Sequence, residues 1–180
     1  SSGGFHIQDS SHHRITNCLA YSNVNQGFLI DRSSGSAQYN IIEGCTSYGN
    51  TGASGEGFTI YSNSGAGLEY NSLIGCVATN NAVNQIELFD TGGYNKVANC
   101  YTEGSTAGTN GIYVGATAGR GCSKTTVTGN TCFNNGKNGI QILGSAKCIV
   151  TNNLCVNNNR SDNAGITDQN GITLNGASTG

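Results

Sequence analysis

The chain has 180 residues, of which 10% are charged and 28 are glycine, and its formal net charge is −2. This charge excludes the basic face that nucleic-acid binding needs, and no run approaches the roughly 18 apolar residues of a membrane-spanning helix. Excess glycine could indicate low-complexity disorder. The regular spacing of Ile, Val and Leu favours a folded chain instead.

The first predicted strand of each repeat is a short segment in which apolar and polar residues alternate. Alternation such as that of Phe5 and Ile7 is the period of a strand with one buried face. The copies recur every 23 to 32 residues, a period typical of a solenoid. They are 4–7, 27–30, 57–60, 85–88, 111–114, 139–142 and 171–174.

A second and a third short strand are predicted in each repeat. The inward position of the second strand is Ile15, Ile42, Leu73, Val97, Val127 and Val150. The third strand is 19–21, 46–48, 77–79, 101–103, 131–133 and 154–156. Three strands per turn, with turns stacked about 4.8 Å apart by parallel pairing, make a parallel β-helix. A leucine-rich repeat fits less well, since no helical segment is visible.

We expect one all-β domain over residues 1–180, with about seven coils of three strands. The chain contains no Met and enters its first repeat at once, so we expect it to be a fragment of a longer solenoid with uncapped ends. The Asn-Gly pairs at 110–111, 138–139 and 170–171 are interpreted as turn residues with positive φ.

The segments 139–142 (Gly-Ile-Gln-Ile) and 150–153 (Val-Thr-Asn-Asn), with their copies, resemble the right-handed parallel β-helix repeats of the pectate-lyase-like superfamily. The resemblance extends over nearly all of the chain and implies a right-handed, single-stranded parallel β-helix with an asparagine ladder at the turn after the second strand. The superfamily includes polysaccharide lyases, mannuronan epimerases, glycoside hydrolases, phage tailspikes and adhesins. Many tailspikes are trimers, so analogy alone suggests a homo-oligomer.

The chain departs from that pattern in two ways. The motifs Asp-Pro-His-Glu of mannuronan epimerases and Asn-Thr-Asp of polygalacturonases are absent from the sequence. Four of the six asparagine-ladder positions hold cysteine instead: Cys18, Cys45, Cys76 and Cys100.

The eight cysteines would ordinarily indicate disulfides in a secreted chain. Cys132 and Cys155 form a second column, and in both columns the parallel Cβ vectors make the roughly 90° disulfide torsion hard to reach. We therefore predict a cysteine ladder of buried free thiols that fill the core. Parallel thiols cannot close a zinc tetrahedron, and no His is placed to join them. We expect no metal and no cofactor.

Outward positions on the first strand form two columns, and in the enzymes that the chain resembles the substrate groove follows this face. Column one is His6, Leu29, Thr59, Glu87, Tyr113, Gln141 and Thr173. Column two is Gln8, Asp31, Tyr61, Phe89, Gly115, Leu143 and Asn175.

Glycoside cleavage needs two carboxylates about 5 to 10 Å apart. Glu87 and Asp31 lie two coils apart, about 11 to 12 Å by strand spacing, which is long for a direct pair. Glu56 could lean toward Glu87, and Asp90 is a fourth candidate. Alternatively, each of these carboxylates is a solvated charge on a strand or turn.

Lyase or epimerase chemistry removes the C5 proton of a uronate and needs a base beside a neutralising group. Tyr113, next to Glu87, and His6 are the candidate bases, and Arg32 is the candidate partner of the uronate. Alternatively, His6 is an exposed strand residue without a catalytic role.

A column of aromatic residues stands three positions before the second-strand column. Tyr39, Tyr70 and Tyr94 follow His12 and precede two lysines. With Tyr61 they are candidate sugar-binding residues, because tyrosine offers both apolar and hydrogen-bonding contacts. The rings could equally stabilise one another as a structural ladder. The residues that follow, Asn40, Asn71 and Asn95, should point inward and bind turn amides.

The leading hypothesis is an extracellular or virion-surface β-helix that engages polysaccharide and acts as a lyase, epimerase or hydrolase on the first-strand face. The alternative is a non-catalytic structural or adhesive solenoid, such as a fibre or tailspike stem. The enzyme hypothesis predicts a groove in which titratable groups with shifted pKa values converge. The structural hypothesis predicts scattered charges on an even surface.

Overall fold

The computed structural model of the chain describes residues 3–62, 67–106, 108–117, 121–159 and 170–175. The strands and helices found in these residues are all β-strands, and they form three sheets. The first sheet contains β1 (Phe5–Gln8), β4 (Phe28–Arg32), β7 (Phe58–Ser62), β10 (Ile86–Phe89), β13 (Ile112–Gly115), β16 (Ile140–Leu143) and β19 (Ile172–Asn175). The second contains β2 (Arg14–Thr16), β5 (Ile41–Glu43), β8 (Ser72–Ile74), β11 (Lys96–Ala98), β14 (Thr126–Thr128) and β17 (Ile149–Thr151). The third contains β3 (Leu19–Tyr21), β6 (Thr46–Tyr48), β9 (Val77–Thr79), β12 (Tyr101–Glu103), β15 (Thr131–Phe133) and β18 (Leu154–Val156).

Each strand pairs in parallel with the strand three places along the chain. The register places like residues opposite each other, as in Phe28↔Phe58 and Cys132↔Cys155. The described residues therefore form a parallel β-helix of six three-strand coils and the first strand of a seventh. This confirms the predicted fold, with seven strands in the first sheet and six in each of the other two.

The core is a stack of identical inward positions. Phe5, Phe28 and Phe58 stack ring on ring, with centroids 4.7 and 4.8 Å apart. Ile30 and Ile60 are fully buried beside them. One coil supplies too few apolar side chains to form a core, so burial depends on the coils above and below.

Tight turns follow the second strand of each coil. The residue after that strand has a positive φ in all six coils and is always Asn or Gly, the residues that adopt this conformation most readily. The next side chain points inward and binds the neighbouring coil: the Oδ1 of Asn130 accepts the N–H of Cys100 at 2.9 Å. Asn153 does the same for Asn130 at 2.9 Å. These contacts are the predicted asparagine ladder.

A second ladder precedes the second sheet, as predicted. The N–H of Asn40 donates to Oδ1 of Asn71, and the N–H of Asn71 donates to Oδ1 of Asn95, both at 2.9 Å. These amides are fully buried. They satisfy turn N–H groups that would be costly to leave unpaired in the core.

The prediction of positive φ in the Asn-Gly pairs was wrong. Gly111 and Gly139 do not have positive φ. A Cβ on Gly111 would lie 2.6 Å from the Oγ1 of Thr102 and 2.6 Å from the Nδ2 of Asn135. Glycine is needed here because the backbone of the first strand packs closely on the third sheet.

All eight cysteines are free thiols, as predicted. Cys45, Cys76, Cys100, Cys122 and Cys132 are buried, and the other three are partly buried. Burial raises the pKa of the Cys45 and Cys122 thiols. Protonated thiols of this kind behave as small apolar core residues.

No helix in the described residues is long and apolar enough to cross a lipid bilayer. Within the same residues, no three His, Cys, Asp or Glu side chains are grouped so that they could hold a metal ion.

Candidate functional site

The outer face of the first sheet carries the residues of column one in register. Thr59 lies opposite Glu87, and Glu87 lies opposite Tyr113. Neighbouring strands are about 4.8 Å apart, so these three side chains are direct neighbours across β7, β10 and β13.

A third asparagine ladder lies in the turns that precede the first sheet. The Oδ1 of Asn84 accepts the N–H and the Nδ2–H of Asn110 at 2.8 and 3.1 Å. The Oδ1 of Asn110 accepts in the same way from Asn138 at 3.3 and 3.0 Å. Backbone pairing extends this column to Glu56, since the carbonyls of Glu56 and Asn84 accept equivalent glycine N–H groups. Glu56 therefore takes the place of the next asparagine.

The ladder ends on two carboxylates. The Nδ2 of Asn84 donates to Oε2 of Glu87 at 2.6 Å, so the last amide of the ladder holds Glu87 in position. The side chain of Glu56 is 7% exposed, and its Oε2 has no hydrogen-bond partner. Glu87 is thus held in place by a hydrogen-bond donor, whereas Oε2 of Glu56 can still accept a hydrogen bond.

The two carboxylates face a common cleft with a volume of about 320 Å³. The cleft lies at the edge of the first sheet where the chain enters β4 and β7. Its lining residues are Gln26, Ser54, Glu56, Thr59, Tyr61 and Glu87. Thr59 is 3% exposed, and its Oγ1 has no hydrogen-bond partner.

Both carboxylates of the cleft hold their protons more tightly than usual. Burial, followed by the charge of Glu87, raises the pKa of Glu56 from 4.5 to about 7, while a hydrogen bond from Gln26 opposes the rise. Burial raises the pKa of Glu87, and the hydrogen bond from Asn84 opposes that rise. With a pKa of about 7, Glu56 keeps its proton in a large fraction of the molecules near neutral pH.

An aromatic wall borders the cleft. The ring of Tyr61 stacks on Phe89 with centroids 6.1 Å apart, and Phe89 stacks on Tyr113 at 6.3 Å. Column two has Gly115 where the third ring would stand, and the ring of Tyr113 covers that position. Burial and then the charge of Glu87 raise the pKa of the Tyr113 phenol. The phenol is therefore neutral around pH 7.

The variant Gly115→Ala should displace the ring of Tyr113, because the new Cβ would lie 2.3 Å from its Cζ. We expect a loss of about 1 to 3 kcal/mol in the free energy of unfolding, as for other overpacked sites, and a changed near-UV circular dichroism spectrum. Gly121→Ala is the matched control, since its Cβ would meet no atom closer than 3.6 Å. Equal stability of the two variants would contradict the packing of the Tyr113 ring over Gly115.

The structure pairs His6 with Asp31 rather than bringing either to the cleft. The Nε2 of His6 lies 2.9 Å from Oδ1 of Asp31. Leu29 and Thr59 separate His6 from Glu87 along column one. These two candidate catalytic residues therefore form a separate cluster at the N-terminal end of the sheet.

Arg32 and Asp90 lie on the loop side of the first sheet. The guanidinium of Arg32 packs against Gly67, close to where a Cβ on that glycine would stand. Asp90 is buried and accepts hydrogen bonds from the N–H and Oγ1 of Thr117, both at 2.7 Å. Neither side chain lines the cleft.

The candidate sugar-binding tyrosines form a continuous stack with His12 at the corner before the second sheet. The ring centroids of His12, Tyr39, Tyr70 and Tyr94 are 5.1, 4.9 and 5.0 Å apart. The Nζ of Lys124 closes the stack, 2.7 Å from the Tyr94 hydroxyl and 4.6 Å from its ring centre. Neighbouring rings cover the ring faces, and this arrangement favours a structural ladder over a sugar platform.

Sequence reasoning did not assign Gln26, Ser54, Thr59 or Asn84 to a site. One signal could have found two of them. Gln26, Glu56 and Asn84 hold the same position in successive coils, and the asparagine repeat of later coils is broken at Glu56. A change of residue type within a regular column of asparagines indicates a position whose side chain has a role other than stabilising the turn.

The raised pKa of Glu56 makes stability depend on pH. Between 4.5 and about 7 the folded protein binds a proton at Glu56 that the unfolded chain has lost, so the free energy of unfolding should fall as pH rises through this window. Glu87 contributes in the same direction. Asp9 acts elsewhere, because hydrogen bonds from Ser33 and Gly35 lower its pKa from 3.8 to about 2. Its contribution is lost only as pH falls through that lower range.

Thermal melts from pH 4.5 to 7.5 check this expectation. The melting temperature should decline across the window, and Glu56→Gln should decline less. Glu43→Gln, an exchange in the second sheet, should keep the slope of the parent. A parent curve that rises with pH would contradict the environment assigned to Glu56.

Comparison with known proteins gives one family. The model of a family described as a right handed beta helix region matches residues 1–102. No curated protein and no solved structure matches the chain.

Proposed function

Because the chain belongs to the right-handed β-helix family, we propose that it is a β-helix that binds a polysaccharide in the cleft and hydrolyses a glycosidic bond there. One observation carries the proposal. Glu56 and Glu87 share one cleft and both have raised pKa values, but Asn84 donates to Oε2 of Glu87, whereas Oε2 of Glu56 has no hydrogen-bond partner. Two carboxyl groups with different environments are the requirement for glycoside hydrolysis.

The environments suggest separate roles for the two residues. Glu56, which carries the proton near neutral pH, donates it to the glycosidic oxygen as the bond to the anomeric carbon breaks. Glu87, held by Asn84, acts in its carboxylate form, either as the base for the water that attacks the anomeric carbon or as the nucleophile at that carbon. Water supplies the hydroxyl group of the new reducing end. Tyr61 and Tyr113 lie beside the pair as neutral phenols or ring surfaces that can contact the sugar.

Elimination or epimerisation is less well supported. Those reactions need a base for the C5 proton and a group that neutralises the uronate. The raised pKa of Tyr113 keeps its phenol neutral, and Arg32 packs against Gly67 outside the cleft lining. His6 is engaged with Asp31.

Location and partners belong to the same proposal. A polymeric glycan is met outside the cell or at a virion surface, so we place the protein there, with polysaccharide as its partner. Trimer formation is proposed by analogy with tailspikes alone.

A screen of polysaccharides tests the proposal by end-group analysis. New reducing ends without unsaturated sugars are expected. Unsaturated ends would identify a lyase and overturn the hydrolytic mechanism. Glycan retention without new ends would leave a binding protein and overturn catalysis.

A second candidate function is a non-catalytic structural solenoid. It is favoured by the stack of His12, Tyr39, Tyr70 and Tyr94, in which the rings bind one another. Absence of both glycan retention and cleavage in the screen would support it.

A further inference from the structure

Two buried polar atoms in the cleft have no partner in the described protein. They are the Oε2 of Glu56 and the Oγ1 of Thr59, on side chains that are 7% and 3% exposed. Both side chains line the cleft. A buried polar atom without a hydrogen bond is unfavourable by about 1 to 3 kcal/mol, so a ligand that supplies both bonds regains that free energy.

The chemistry of these two atoms limits the ligand group. The hydroxyl of Thr59 can donate or accept, and the carboxyl of Glu56 accepts when ionised and can donate when protonated. A sugar hydroxyl also donates and accepts, so two hydroxyls of one sugar residue can satisfy both atoms in either protonation state. A carboxylate on the ligand can only accept.

The charge of the cleft points the same way. Its described lining comprises two glutamates and four uncharged residues and includes no cation. His6, which is paired with Asp31, lies three strands from Glu87, about 14 Å by strand spacing. A uronate in the cleft would face the carboxylate of Glu87 in a partly buried site, where repulsion of like charges is stronger than in water.

We propose that the cleft selects an uncharged sugar residue, whose neighbouring hydroxyls bind Oε2 of Glu56 and Oγ1 of Thr59, and that it rejects uronates. This inference rests on the proposed function and names its substrate class. Thr59 is a positioning residue in this arrangement, while Tyr61 offers an apolar ring surface to the sugar C–H groups.

Matched glycan pairs test the charge selectivity. The probes are uronate oligosaccharides and their carboxyl-reduced counterparts, which share linkage and length and differ only in the acid group. Calorimetric titration at low salt should show at least tenfold tighter binding of a reduced, neutral member. Equal or tighter binding of the uronate would overturn the inference and leave the glycan-binding proposal standing. Binding of neither member of any pair would overturn both.

Substitution of Thr59 tests the contact itself. Thr59→Val removes the hydroxyl while keeping a β-branched side chain suited to a strand. The affinity for the neutral oligosaccharide should fall about tenfold, with the melting temperature unchanged, and Thr59→Ser should restore most of it. The control is Thr46→Val, an outward threonine of β6 in the third sheet. Unchanged affinity in Thr59→Val would overturn the role of Thr59.

Discussion

Replacing Glu56 with glutamine should lower the rate of glycosidic bond cleavage about 10³-fold, because an amide cannot donate the proton that the leaving oxygen needs. The fold should persist, since the exchange keeps the shape of the side chain and removes a carboxyl whose raised pKa reflects unfavourable burial. The measurement is the rate of reducing-end formation on the glycan identified by the screen.

A change of leaving group separates the roles of the two carboxylates. An aryl glycoside with a good leaving group needs little proton donation, so Glu56→Gln should regain most of its rate on such a substrate. Glu87→Gln should remain slow on both substrates, because the base or nucleophile is then missing. The control Glu43→Gln alters an exposed ion pair with Arg14 on the second sheet and should cleave at the parent rate. Full activity of Glu56→Gln on the natural glycan would contradict the mechanism.

The largest effect on stability is expected for Ile60→Asp. Ile60 is fully buried in β7 and lies in register between Ile30 and Leu88. An unpaired carboxylate at this position would be buried against both neighbouring coils, at a loss of about 4 kcal/mol or more in the free energy of unfolding. Urea unfolding followed by far-UV circular dichroism measures this loss.

Ile149→Asp is the matched control for that variant. Ile149 is 54% exposed on β17, so the same exchange should change the free energy of unfolding by about 0.5 kcal/mol or less. If Ile60→Asp unfolded at the urea concentration of the parent, the inward assignment of that column would be wrong.

The strands could be predicted from the sequence because each turn is marked chemically. Residues such as Asn17 and Gly44 have positive φ, and the inward residue that follows, such as Cys18, immediately precedes the third strand. The third strands, 19–21 among them, were predicted residue for residue. In-register stacking then placed Glu87 beside Tyr113 without further information.

The site could be predicted only in part, because it depends on side-chain directions that a repeat does not fix. Nothing in the column of Asn84 shows that its amide turns to Glu87. The ring of Tyr113 lies over Gly115 because glycine leaves that space open. Loops such as 51–55 differ in length between coils, and Ser54 reaches the cleft from one of them.

The asparagine ladder that ends at Glu56 makes the two ends of the β-helix different with respect to the addition of coils. Each amide oxygen in it accepts from the coil that follows, as Asn84 does from Asn110. Further coils inserted on the C-terminal side of the Glu87 coil could form the same asparagine hydrogen bonds and would leave the cleft unaltered. A duplication between the coil of Glu56 and the coil of Glu87 would instead move the two carboxylates apart by one coil height, about 4.8 Å. Whole repeats added on the C-terminal side of the cleft are therefore compatible with the proposed chemistry. A repeat inserted between the two carboxylates is not.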